Sequence, residues 1–231
     1  LSDSEETRKK YAELCSEISQ KLLKNHPESF EANYVTYWNA GWQNSAEVYL
    51  WKAYKITPND ARLFDDLLIH NITNGKPQEA KSVAKTMIDQ NYLASGILNI
   101  GHNMLAEAEP GSIVFTAGDN DTYSLWLNQF GLGFREDVKV VNMYLILLPG
   151  YRKLLFQQLG IKELPGENVE LEQIVKHIIN STSAPKIHVA STAYEYMKSV
   201  FDDDSLYLTG LTYQYSSESI DNNSILRRNF E

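Results

Sequence analysis

The chain has 231 residues, enough for one large domain or two modest ones with a buried core. Its composition is that of a folded protein, 43% hydrophobic and 22% charged, with a formal net charge of -9. That acidity disfavours nucleic acid and anionic lipid as partners, and Arg227-Arg228 is too short to make a basic patch.

The single cysteine, Cys15, excludes an intramolecular disulfide and a cysteine-based zinc site. The most apolar stretch, Val138 to Leu148, is interrupted by Lys139 and Asn142, and no membrane span is expected from it. No signal peptide is visible. The chain opens on Leu1 rather than Met, as a processed or trimmed form would.

The first half reads as helices alone. Tyr11, Leu14, Ile18 and Leu22 fall on one helical face of "YAELCSEISQKLLKN", which "HPES" ends. "FEANYVTYWNA" and "SAEVYLWKAYKI" are two more helices with a turn at Gly41. "ARLFDDLLIHNI", "PQEAKSVAKTMIDQ" and "ASGILNIGHNMLAEAE" continue the series, broken at "TPND" and "TNGK". Pro27 and Pro58 each close a segment with a small residue at the same distance upstream, Cys15 and Ala46. Ala46, Leu50, Ala53 and Pro58, with Phe30 and Tyr37 on the partner helix, match the tetratricopeptide pattern, and Ala80 continues it. In that pattern a small residue lets two helices approach and a proline ends the second. Tyr34 stands where the pattern prefers a small residue. A generic helical bundle is the alternative. Tyr34, Tyr37, Trp38 and Trp42 are candidates for an inner surface that binds a peptide or glycan, or for the helix core.

From about Glu109 the period changes. "SIVFTAG", "VKVVNMYLI" and "KIHVAS" are short apolar runs of strand character. The helical segments "TYSLWLNQFG", "YRKLLFQQLG", "NVELEQIVKHIINS" and "TAYEYMKSVF" intervene or follow. Thr122 is the expected cap of the first of these, and Gly131 its stop. "LYLTGLTYQYS" alternates around Thr209-Gly210 and predicts a hairpin. The expected architecture is α/β. Tetratricopeptide-like α-hairpins over 1–108 precede a Rossmann-like three-layer domain over 109–231, with a mostly parallel sheet and an antiparallel edge hairpin.

In open α/β sheets ligands lie at the carboxyl ends of the strands. Three such ends carry polar residues: Gly118, Asp119, Asn120, Asp121 and Thr122 after the first, Asn142 on the second, Ser191 and Thr192 after the third. Parallel, adjacent strands would bring them to one rim as a ligand site. Asp119 and Asp121 invite two readings. Around a turn they could hold Mg²⁺ or Mn²⁺, as an Asp-x-Asp pair does for a nucleotide-sugar. They could equally be turn formers that complement a helix N-terminus. His188, inside a strand, is expected to be buried and hydrogen-bonded. Asp202-Asp203-Asp204 is expected to be a solvated turn, and Cys15 a packing residue.

The stretch "GSIVFTAGDNDTYSLWLNQFGLGFREDVKVVNMYLI" resembles the soluble C-terminal portion of a bacterial family of multi-spanning membrane proteins of unknown function, classed by similarity with glycosyltransferases. The resemblance rests on Gly118 to Thr122, Tyr123, Leu125-Trp126, Arg135 to Val138 and Val140-Val141-Asn142, and on a closing "LYLTGLTY". It covers about Glu109 to Tyr215. Ser124 replaces a proline of the family, and Leu147 to Tyr151 replace a polar stretch. The family's membrane half has no counterpart here. The resemblance therefore implies a non-enzymatic scaffold or recognition module, accessory to glycan transfer, on the periplasmic side of an envelope. It would have a protein partner on the helical repeats and a sugar or nucleotide-sugar as ligand. A metal-dependent glycosyltransferase-type domain using Asp119 and Asp121 is the alternative.

Overall fold

The computed structural model of the chain describes residues 5–41, 46–166, 168–202 and 204–230. Trp42 and Asp203 lie outside the described residues. The chain divides into two compact units, Leu1–Leu67 and Leu68–Glu231.

The first unit holds helices α1 (Glu5–Asn25), α2 (Phe30–Ala40) and α3 (Glu47–Ile56) and the start of α4 (Phe64–Thr73). Ser29 caps α2 by accepting from the Ala32 amide at 3.2 Å, which satisfies one of the orphan donors of the first turn. Ala46, Leu50 and Ala53 are buried with Phe30 and Ala32, so the small residues expected at the helix contact are there. A Ser19–Thr36 hydroxyl bond of 2.9 Å ties α1 to α2. Arg62 forks onto Asp60 at 2.9 and 2.7 Å, and its guanidinium lies 4.4 Å from the Phe30 ring centre.

Two expectations fail on α1. Cys15 is exposed, not a packing residue. Tyr11, Leu14 and Ile18, expected on a core face, are also exposed, at 60%, 49% and 44%. The buried contact of α1 with α2 runs through Ser19 instead. Of the expected aromatic surface, Tyr34 and Trp38 share a groove with Tyr11 and Cys15. Tyr37 instead bonds Asp66, and burial pushes its phenol up.

The second unit adds α5 (Pro77–Asp89), α6 (Ser95–Glu107), β1 (Ile113–Thr116), α7 (Asp119–Trp126), β2 (Lys139–Asn142), α8 (Pro149–Leu159), α9 (Leu171–Ile179), β3 (Ile187–Ala190), α10 (Tyr194–Met197), β4 (Leu206–Leu208), β5 (Thr212–Tyr215) and α11 (Asn222–Phe230). The five strands form one sheet in the order β2-β1-β3-β5-β4. β1 pairs in parallel with β2 and β3, and the β4–β5 hairpin adds on antiparallel at the edge. Every residue of β1 and β3 is buried, so both faces of the sheet are covered there. The expected strands and hairpin are all present. The turn from helices alone to alternating strands falls between α6 and β1, near the residue 108 read from sequence, whereas the compact units divide at Leu67.

α5 and α6 explain that offset, because both pack on the sheet's own helices. A Cβ on Gly101 of α6 would lie 2.6 Å from Ser124 of α7, so only glycine permits this approach. Asn128 adds a bond from its amide to the Leu98 carbonyl at 2.9 Å. α5 crosses Gly131, in the π-helical segment Leu127–Gly131 that continues α7.

Candidate functional site

β1 ends at Thr116, and α7 starts three residues later with Gly118 as its N-cap. Thr122 is thus inside the helix rather than its cap. The capping group is Asp121, whose carboxylate reaches back over the turn. Its Oδ1 accepts from the amides of Gly118 at 2.7 Å and Thr122 at 3.0 Å. Its Oδ2 accepts from the Ala117 amide at 3.1 Å and from the Thr192 hydroxyl at 2.7 Å. Asp121 is buried, and a buried carboxylate is tolerable only when its lone pairs are met this way.

The network continues sideways. The Thr122 hydroxyl donates to the Gly118 carbonyl at 2.6 Å and lies 2.8 Å from the Thr116 hydroxyl. Asn142, the last residue of β2, donates to the Thr122 hydroxyl at 3.0 Å. The Asn142 Oδ1 accepts from the Tyr144 amide at 2.9 Å, fixing the chain as it leaves β2. The ends of β1, β2 and β3 are therefore joined through Asp121, Thr122, Asn142 and Thr192, as expected of one rim.

A crevice of roughly 400 Å³ opens over this rim, lined by Gly118, Asp119, Asn120, Asp121 and Thr192. It lies where β1 turns to β2 on one side and has β3 on the other, the switch in strand order. Tyr144 and Tyr196 form its walls, exposed at 55% and 62%. Sequence reasoning missed both tyrosines, since each lies beyond a strand end on a segment with no motif. Of the expected residues, Thr122 and Asn142 are buried supports. Ser191 is exposed, bonds through its amide to Leu211, and does not line the crevice.

The two aspartates differ. Asp119 is exposed and Asp121 is buried. The pairing around one cation supposed a turn, but residues 119 to 126 are helical, and helix positions i and i+2 do not face each other. Among the described residues there is no group of three or more His, Cys, Asp or Glu that could hold a metal ion. What the rim presents is an exposed carboxylate and amide, at Asp119 and Asn120, between two phenol rings.

Elsewhere the unit holds two polar ties. Arg135 forks onto Asp137 at 2.9 and 3.0 Å and also donates to the Leu105 carbonyl at 2.7 Å. Asp137 in turn accepts from the Gly111 amide at 3.1 Å. The Arg135 guanidinium first, helped by that amide, lowers the Asp137 carboxyl to about 2. This clasp holds the end of α6 and the entries to β1 and β2 together, so the Arg-x-Asp motif acts here as structure. His188 is buried as expected, bonded to the Thr212 hydroxyl at 2.9 Å and to the Glu109 carboxylate. Burial raises the Glu109 carboxyl, but His188 more than offsets this and leaves it below the ordinary range. Asp202 and Asp204 are exposed, as expected of a solvated turn.

No curated protein and no solved structure matches the chain. Among the described residues no helix is long and apolar enough to cross a membrane. Residues 97–159 match the family model described as TMEM260-associated domain 2, a segment that runs from α6 through the Asp121 turn and β2 to the end of α8.

Proposed function

We propose that the α/β unit is a non-enzymatic recognition module whose rim crevice takes a saccharide. The observation that carries this is the crevice itself, with Tyr144 and Tyr196 as exposed walls and Asp119, Asn120 and Thr192 between them. Aromatic faces with a few fixed polar groups suit a ring that is apolar on its faces and hydroxylated at its edge. Asp121 is already committed to three amides and a hydroxyl, so it serves as the frame for that crevice.

The wider reading follows the resemblance and the match over residues 97–159. In it the module is accessory to glycan transfer in a bacterial envelope protein and lies on the periplasmic side. The sheet unit is Rossmann-like. The helices of the first unit are tetratricopeptide-like and dock a protein partner, a reading supported by the buried Ala46, Leu50 and Ala53. The alternative is a metal-dependent glycosyltransferase-type domain that uses Asp119 and Asp121.

Calorimetric titration of the chain with neutral oligosaccharides and nucleotide-sugars, with and without Mg²⁺ or Mn²⁺, separates these. The recognition reading expects metal-independent binding that falls about tenfold or more in Tyr144→Ala with Tyr196→Ala, a loss of about 1.4 kcal/mol. Binding that requires Mn²⁺ and disappears in Asp119→Asn would move the assignment to the enzyme.

A further inference from the structure

The sheet unit contains a second cavity, of about 440 Å³, which the rim crevice does not share. It is bounded by the end of α4, the start of α5, α8 and the outer edge of β2. That size lies within the range of about 300–1,000 Å³ usual for small-molecule sites. Ile72, Val138, Val140, Leu154 and Leu155 give it an apolar wall.

Three polar side chains in the same wall are more than nine-tenths buried and still hold an unused hydrogen-bonding atom. Trp126 is 1% exposed, Gln129 4% and Tyr151 6%. The Trp126 indole N–H and the Tyr151 hydroxyl have no partner among the described residues. Gln129 gives its amide hydrogens to the carbonyls of Arg135 at 2.7 Å and Val138 at 2.8 Å, which leaves its side-chain oxygen over. None of these three atoms is sealed off, as the unpaired Asn71 oxygen is, so each is open to the cavity its residue lines. Burial pushes the Tyr151 phenol up, so it stays a neutral donor. A few fixed polar groups in an otherwise apolar cavity are what orients a ligand there.

The mouth is cationic on an acidic chain. Lys76, Lys81 and Lys139, all half-buried, line the cavity against one acid, Glu136. Lys81 is paired with Glu136 at 2.8 Å, and Lys76 lies 3.3 Å from the His70 ring. Lys139 makes no ion pair among the described residues.

Two donors and one acceptor are the complement of a hydroxyl group, which has two lone pairs and one hydrogen. An apolar wall takes hydrocarbon, and a lysine with no carboxylate beside it takes an anion. We infer that this cavity binds a hydroxylated aliphatic carboxylate, with its hydroxyl at Trp126, Gln129 and Tyr151, its chain along the apolar wall and its carboxylate at Lys139. The site is independent of the saccharide reading.

The test is calorimetric titration of the full chain with ω-hydroxydecanoate, decanoate and decyltrimethylammonium. The hydroxy acid should bind, and decanoate should bind about fivefold or more weakly, since it leaves the three wall groups unanswered. Decyltrimethylammonium, the same chain with a cationic head, should not bind at the same concentrations. Tyr151→Phe keeps the ring and removes only an unpaired hydroxyl. It should bring the two acids to within about twofold of each other, with no fall in melting temperature. Lys139→Gln should weaken both acids by about tenfold and keep the preference between them. Lys176→Gln, at an exposed lysine of α9 that does not line the cavity, should change neither. Equal binding of the two acids to the parent chain, equal binding of the ammonium, no acid binding at millimolar concentration, a full preference in Tyr151→Phe, or unchanged affinity in Lys139→Gln would each overturn the assignment.

Discussion

The Thr192 hydroxyl donates to Oδ2 of Asp121 at 2.7 Å, joining the end of β3 to the first turn of α7 across 71 positions of sequence. Asp121 therefore does two jobs that pull in different directions for a functional reading. It closes a turn, and it fixes the spacing of two strand ends beside which a crevice opens. The acid nearest a motif is here the framework, and its exposed neighbour Asp119 is the group left for a ligand.

Asp121→Ala should accordingly destabilise the sheet unit by about 3 kcal/mol, since it strands the amides of Ala117, Gly118 and Thr122 and the Thr192 hydroxyl. Asp119→Ala, on the exposed side of the same turn, should change stability by less than about 0.5 kcal/mol. Urea denaturation midpoints of the two variants give the comparison. Equal losses would show that the carboxylate at 121 is not the cap.

The strands were legible in the sequence because each is a short apolar run bounded by glycine, proline or polar residues. The parallel order followed from the helices between them. The start of α7 was misread for a physical reason: Thr122 has the chemistry of a cap, but Asp121 can reach back to two preceding amides, and the longer reach won. The exposed face of α1 was misread because periodicity marks an apolar stripe and says nothing of what covers it. Tyr144 and Tyr196 carried no signal in one sequence, since their interest comes only from where the fold puts them.

Gly101→Ala should cost about 1–3 kcal/mol, because its Cβ would stand 2.6 Å from the Ser124 backbone, which cannot move without shifting α7. Gly96, on the same helix with nothing within 4 Å, is the control. Gly96→Ala should stabilise the chain by about 0.4–1 kcal/mol through the unfolded state. Thermal melts that place both variants on the same side of the parent would contradict the close α6–α7 crossing.

Acid should weaken the sheet unit through Glu109 and Asp137. Both are stronger acids when folded than their ordinary values of 4.5 and 3.8. In that range the unfolded chain binds more protons, so stability is full above those values and is lost as the pH falls through the folded ones. For Asp137 the loss runs from about pH 4 down to about 2. Midpoints measured between pH 5 and 2 should fall less steeply in Asp137→Asn than in the parent. An unchanged slope would mean that the Arg135 pair does not hold the carboxylate in solution.

Arg135→Lys tests the clasp by geometry rather than charge. Lysine keeps the positive charge but has no planar fork, so it cannot meet both Asp137 oxygens and the Leu105 carbonyl together. The Arg135 side chain is 21% exposed and that of Asp137 43%, which places the clasp between a surface pair and a buried one. The expected loss is about 1–2 kcal/mol, carried mainly by the bond to Leu105, whose carbonyl is one of those that the end of α6 leaves unpaired. The same exchange in reverse at an exposed site, Lys176→Arg on α9, should move the denaturation midpoint little. Hydrogen exchange offers the sharper reading: amides of β1 and β2 near their entries should lose protection in Arg135→Lys, while those of the β4–β5 hairpin keep it. Uniform loss across the sheet would mean that the clasp acts on global stability and does not hold these three chain segments locally.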